Sequence, residues 1–335
     1  MKKITKNGWI ELGVSIAVFA ILATIAGLYD LKINIALYNP DSLYGLYFAN
    51  LGELPTYIAA PIAGTILFYQ NFGKNKKELI LWKVLFGIVV FVGYFAAIWM
   101  WFWDNFVDES VKYAIVYQLV FSAFLTALTL FSCAYVPEEK MKKLFWFAVF
   151  LAVIAAMSNL IVQIMKSLWA RQRFRTMTEG HPKAPEDLGA LGCANYEGFT
   201  NWWQINVFSK PEIRTDAYVE AFKINDSGAF KSFPSGHTVA AATSFGLIIL
   251  PDMFTKLNNK KIKWLFWVIP IVYTVLVAIS RIVVAAHYLS DVTFGGFIGF
   301  GVAALTRWIF VSKIKNLSDD SQVSEAIATE EVIAE

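Results

Sequence analysis

Long apolar runs separated by short polar stretches dominate the chain. A helix needs about 20 mostly apolar residues to cross a bilayer. The pattern predicts eight such spans, at about 9–29, 55–72, 81–103, 113–136, 144–165, 237–256, 264–283 and 288–311. The second is the most broken, because Pro55 and Pro61 interrupt it. The first follows Lys2, Lys3 and Lys6 and exceeds the roughly 7–15 apolar residues of a signal-peptide core. No clear small-residue cleavage site follows it, so it is expected to stay as an anchor.

The charges between the runs supply an orientation. Lysines in short loops mark the cytoplasmic side. Lys2, Lys3 and Lys6 place the N-terminus there, and the even-numbered spans are followed by Lys74, Lys76, Lys77 and Lys83, by Lys140, Lys142 and Lys143, by Lys256, Lys260, Lys261 and Lys263, and by Lys313 and Lys315. The segments after spans 1 and 3 hold only Lys32 and Lys112, beside Asp30, Asp41, Glu53, Asp104, Asp108 and Glu109. Both termini are therefore expected in the cytoplasm. Losing one span would invert everything after it, which favours an even count.

Two segments depart from this pattern. Residues 166–236 form a long extracytoplasmic loop inside a membrane domain expected over 1–316. Residues 317–335 carry six carboxylates and no aromatic residue, and are expected to be a disordered cytoplasmic tail. No internal repeat and no second, soluble domain is visible.

Composition agrees with an all-α, polytopic membrane protein. Of 335 residues, 57% are hydrophobic and 16% charged, against roughly 45–50% and about 25% in soluble domains. That excludes a water-soluble globule, a disordered chain and a nucleic-acid binder, and the net charge of +3 is too small to matter as a total. Two cysteines, Cys133 and Cys193, exclude a disulfide scaffold, and they are expected on opposite sides of the membrane. Twelve Trp, 14 Tyr and 28 Phe suit interfacial belts, where Trp169, Trp202 and Trp203 are expected.

Ionisable groups at the ends of spans mark candidate chemistry. Three clusters fall on the same expected side: Lys166 to Arg175 after span 5, Pro234-Ser235-Gly236-His237 before span 6, and Ser280-Arg281 with His287 and Asp291 between spans 7 and 8. His287 and Asp291 share a helix face at a spacing of four. A carboxylate there accepts the imidazole Nδ1–H and leaves Nε2 as a nucleophile. Arg281 offers a bidentate grip on a phosphoryl group. Ser235 reads as a helix N-cap whose free amides, with Gly236 permitting close approach, suit an anion, and His237 in that turn suits a proton donor. Lys166 and Arg173, with Arg171 and Arg175 nearby, add cations. Each cluster alone also fits a snorkelling arginine, a capped helix or a lipid-headgroup patch. Together they suit phosphoryl transfer, where positioning and charge stabilisation do most of the catalysis. His181, in a Pro-containing loop, and Asn159 and Gln163, which suit bonds to neighbouring helices, are read as structural.

The order K-x6-R, P-S-G-H, S-R-x5-H-x3-D resembles the signature of the type 2 phosphatidic acid phosphatase (lipid phosphate phosphatase) superfamily, over about 144–311. The stretch around Asp30–Leu54 looks like that family's link between its first two helices. Phe174 stands where the family has proline after its arginine, and eight spans exceed its six-helix core by a hairpin, for which spans 3 and 4 are candidates. The resemblance implies that His287 attacks phosphorus with Asp291 orienting it, and that His237 protonates the leaving group and then activates water. It implies that Lys166, Arg173, Arg281, Ser235 and the Gly236 amide hold the phosphoryl oxygens, with no metal and no cofactor. The implied substrates are lipid phosphates or diphosphates, cleaved at the outer face of the plasma membrane. Transfer to another acceptor from the same intermediate, and a lipid transporter or flippase, remain as rival readings.

Overall fold

The computed structural model describes residues 6–106, 111–178, 198–221, 224 and 226–318. His181, Cys193 and the acidic tail from residue 319 lie outside the described residues. Among those described, every regular element is helical. Seven helical runs are long and apolar enough to cross a membrane.

Helix α1 (Lys6–Leu37) is about 48 Å long at 1.5 Å per residue, which exceeds a bilayer's hydrocarbon core. It continues past the end expected near residue 29, and that extra length puts Asp30 and Asn34 on one inward face, both buried. Helix α2 (Leu43–Leu51) is capped by the Ser42 hydroxyl, which accepts from the Gly45 amide. Helix α3 (Leu54–Phe68) starts with Pro55 in its first turn and runs through Pro61 unbroken. Helix α4 (Lys76–Phe106) fits against that proline because its Gly93 has no side chain; a Cβ there would lie 2.4 Å from the Pro61 ring. Helix α5 (Val111–Cys133) pairs with α4, and the outer faces of both present large apolar side chains. The short α6 (Glu138–Lys143) leads into α7 (Phe145–Trp169).

Beyond α7, the described part of the long loop holds α8 (Phe174–Thr178), α9 (Asn206–Ser209), a 3₁₀ turn (Pro211–Arg214) and α10 (Asp216–Ala221). The segment expected as span 6 is composite: α11 (Gly236–Ala242), a 3₁₀ stretch (Thr243–Ile249) and α12 (Leu250–Met253). It is not among the seven uniform runs, yet its 18 residues rise about 30 Å because 3₁₀ turns rise more per residue. It is the most enclosed segment, with Val239, Ala241, Ala242, Ile248 and Ile249 almost without exposure. Helices α13 (Leu265–Val283) and α14 (Leu289–Lys313) complete the bundle. α14 approaches α11 closely through Gly295 and Gly299, whose added Cβ atoms would lie 2.6 Å from the Ser235 carbonyl and 2.4 Å from Ala242 Cβ. Phe150, Ile154, Phe245, Ile248, Met253 and Phe310 fill the core between α7, the composite segment and α14.

Candidate active site

Three chain reversals bring the clusters to one end of the bundle. α7 stops where Ala170 adopts a left-handed conformation (φ 43°), one turn after Lys166, and the chain then runs inward through Arg171 and Arg173. Ala285 is also left-handed (φ 53°) and turns the α13–α14 connection so that His287 faces inward. The Ser235 hydroxyl accepts from the Thr238 amide at 3.3 Å and caps α11. Left-handed non-glycine residues are strained, and both stand next to the site.

His287 is fully buried, 1% exposed. Its Nδ1 lies 2.6 Å from the Ser232 carbonyl oxygen and 3.6 Å from Asp291 Oδ2. A carbonyl only accepts, so Nδ1 carries the hydrogen and Nε2 is left with its lone pair. The spacing of four predicts the carboxylate as the acceptor; the structure gives the nearer place to a backbone carbonyl from the segment before α11. Burial pushes the His287 pKa down to about 3, against the opposing pull of Asp291. The ring is therefore neutral at physiological pH, as a nucleophile must be.

Asp291 is held on every side. Its carboxylate accepts from Arg171 Nη1 at 2.7 Å, the Ser232 hydroxyl at 2.5 Å and the Tyr288 amide at 2.9 Å. Arg171 is itself almost without exposure. It donates to Ser290 Oγ, Asp30 Oδ2 and the Thr200 carbonyl at 2.7–3.0 Å, and its guanidinium lies 4.0 Å from the centroid of the Tyr288 ring. Asp30 also accepts the Ser290 amide at 2.9 Å, and Asn34 donates to the His287 carbonyl at 3.1 Å. The inner face of α1 thus clamps the turn that carries His287. Breaking a buried ion pair by removing one partner costs about 3–5 kcal/mol, so this is a rigid wall.

The opposite wall carries His237. Its Nδ1 lies 3.1 Å from Glu53 Oε1 and its Nε2 lies 3.2 Å from the Ala49 carbonyl oxygen. The Tyr57 hydroxyl donates to Glu53 Oε2. Lys166 Nζ sits over Gly236, where a Cβ would fall 2.8 Å from it, so the glycine gives the ammonium its place. Arg173 packs its guanidinium on Gly228, bonds to Asp226 Oδ2 at 3.4 Å, and leaves its Nε buried without a partner. Burial raises the Asp226 pKa, but Arg175 and Arg173 outweigh it and hold this carboxyl below the usual range. Arg281 donates to the Gly45 carbonyl of α2 and to Ser280 Oγ. Lys166, Arg173 and Arg281 all lie near enough to His237 to act on it electrostatically.

All eight residues singled out as reactive or phosphate-holding therefore meet at one place. Sequence reasoning missed Asp30, Glu53 and Ser232 as members of it, and took Arg171 only as a nearby cation rather than as the partner of Asp291. Asp30 and Glu53 stand at span ends, the signal used for the other clusters, but served only to assign sidedness. The tryptophans pack together beside α1: Trp169 Nε1 donates to the Trp202 carbonyl at 2.6 Å, and Trp202 and Trp203 rest against Gly27. Asn159 bonds within its own helix, to the Ala155 carbonyl at 2.8 Å, rather than to a neighbour.

The site draws on α1, the α2–α3 pair, α7, the composite segment, α13 and α14. The α4–α5 hairpin, expected as the addition to a six-helix core, contributes none of the residues above and packs chiefly on α3. Comparison with curated proteins and with solved structures gave no match. The family model of the PAP2 superfamily, a superfamily of phosphatases, matches residues 145–315, just over half of the chain, and the protein belongs to that superfamily.

Proposed function

We propose that the protein hydrolyses the phosphate or diphosphate of a membrane lipid, without a metal, at the outer face of the plasma membrane. In this reading eight crossings leave both termini in the cytoplasm, as the lysine distribution requires. His287 Nε2 attacks phosphorus and forms a phosphohistidine while the bond to the lipid oxygen breaks. His237 gives its proton to that leaving oxygen. In the second step water attacks the phosphohistidine and returns a proton to His237, and inorganic phosphate leaves. Lys166, Arg173 and Arg281, with the Ser235 hydroxyl and the Gly236 amide, neutralise the charge on the phosphoryl oxygens. Asp291 orients the nucleophile.

The observation that carries this reading is the His287 ring, neutral and fixed through Nδ1–H on the Ser232 carbonyl, with the charges of Arg173 and Lys166 acting on it. A second feature supports a lipid substrate. A groove of about 480 Å³ opens between α1, α13 and α14, lined by Val18, Leu22, Ile279 and Phe297. Its lining includes Thr238, Ile282 and Val292, each next in sequence to His237, Arg281 or Asp291. An apolar chain lying there would deliver its headgroup to the cations.

The test is phosphate release by the purified protein across a panel of lipid mono- and diphosphates in EDTA. Release inhibited by vanadate, with an acid-labile phosphoenzyme, is expected. His287→Ala should lower the rate by about four orders of magnitude or more. Undiminished release by that variant overturns the reading, and lipid movement without phosphate release would favour transport.

A further inference from the structure

Glu53 is a carboxylate that the reaction above leaves without a role. It precedes α3, its side chain is 17% exposed, and its Oε1 faces His237 Nδ1 at 3.1 Å. On the far side of the same ring, Nε2 faces the Ala49 carbonyl at 3.2 Å. An ionised carboxylate and a carbonyl are both acceptors, and a neutral imidazole has only one N–H. Only the imidazolium donates to both. Burial of the ring opposes that extra charge most, and Arg281 on α13, Arg173 beyond α7 and Lys166 on α7 oppose it as well. Glu53 supplies the negative charge that favours it, steadied by the Tyr57 hydroxyl. A phosphoryl group bound among the three cations would add to the same effect.

We propose that Glu53 is a positioning residue that holds His237 in its proton-bearing form for transfer to the leaving lipid oxygen. The proposal rests on the reading that His237 is the proton donor. During cleavage the proton moves from His237 Nε2 to the leaving oxygen as the P–O bond breaks and the Nε2–P bond of His287 forms. His237 becomes neutral and keeps its Nδ1–H on Glu53. Water then restores the proton as it attacks the phosphohistidine. Glu53 lies outside the 145–315 region matched to the superfamily, so the N-terminal helices would complete the acid of the reaction.

The full-length protein is assayed with a long-chain lipid monophosphate and with p-nitrophenyl phosphate, whose nitrophenolate leaves without needing a proton. Glu53→Gln is expected to slow lipid phosphate cleavage at least about tenfold more than the single-turnover burst of nitrophenolate. It should also move the basic limb of the lipid-phosphate profile by about one pH unit to lower pH, since a less stabilised imidazolium loses its proton sooner. Glu53→Asp should recover much of both effects. Equal losses on the two substrates with an unmoved basic limb would show a merely structural role and overturn the proposal. If Glu53→Gln is not recovered as a monodisperse protein, Tyr57→Phe, which removes the hydroxyl that steadies Glu53, decides by the same ratio and the same limb. His287→Ala is run as the blank: activity that survives it defeats the active-site reading itself, whereas a dead blank with an insensitive Glu53→Gln defeats only the role of Glu53.

Discussion

The two imidazoles of the site sit in walls built on opposite plans. On the His287 side, a carbonyl at 2.6 Å and a carboxylate at 3.6 Å both lie against Nδ1, and Arg173 and Lys166 act on the ring electrostatically. On the His237 side, a carboxylate and a carbonyl are split between the two nitrogens. The first plan fixes one tautomer and leaves Nε2 its lone pair; the second sets one acceptor beside each nitrogen. On the proposed roles, the number of acceptors per nitrogen, more than the nearness of an acidic residue, would separate the nucleophile from the proton donor.

The walls also differ in rigidity, and that difference can be broken. Arg171 holds Asp291 and Asp30 together at near-zero exposure, so Arg171→Ala would leave two buried carboxylates uncompensated. Loss of about 3–5 kcal/mol is expected, read as a large fall in thermal midpoint in detergent together with loss of phosphate release. A wild-type melting profile with full activity would show that the wall around His287 needs no clamp.

A smaller effect is expected on the other wall. Gly236→Ala places a methyl group 2.8 Å from the present position of Lys166 Nζ, and the flexible lysine can move away. Alanine is the better helix former, so stability should not fall. The displaced ammonium should cost about tenfold in kcat/KM, or about 1.4 kcal/mol of phosphoryl stabilisation. Unchanged kinetics would remove Lys166 from the phosphate-holding set.

The smallest effect is expected away from both walls. Gly296 lines the apolar groove, and a Cβ there would meet only Thr238 and Thr274 methyl groups at 3.6 Å. Gly296→Leu should raise KM for a long-chain lipid phosphate several-fold, about 1 kcal/mol, and leave a short water-soluble phosphate ester unaffected. Equal change for both substrates would mean that the groove does not hold the lipid chain.

Much of the architecture was legible in local pattern. Apolar runs of membrane length marked seven helices that the structure contains, and Ser235 before an apolar run marked the start of α11. Pro61 misled, because α3 runs on through it and Gly93 of α4 leaves room for its ring. The run 237–256 misled differently: helical periodicity gives no warning that the middle of the segment tightens to 3₁₀ where Gly246 meets Leu151.

The sequence by itself determined that the chain is a bundle of apolar helices with three polar clusters at helix ends, since hydropathy, helix spacing and residue type are local properties. Only the tertiary structure decided how those clusters are wired. Asp30 reaches Ser290 across 260 positions, and Ser232 reaches His287 through a backbone oxygen that every residue possesses. A charge at the end of a span looks the same in sequence whether it meets water or a buried guanidinium, and only packing chooses between them.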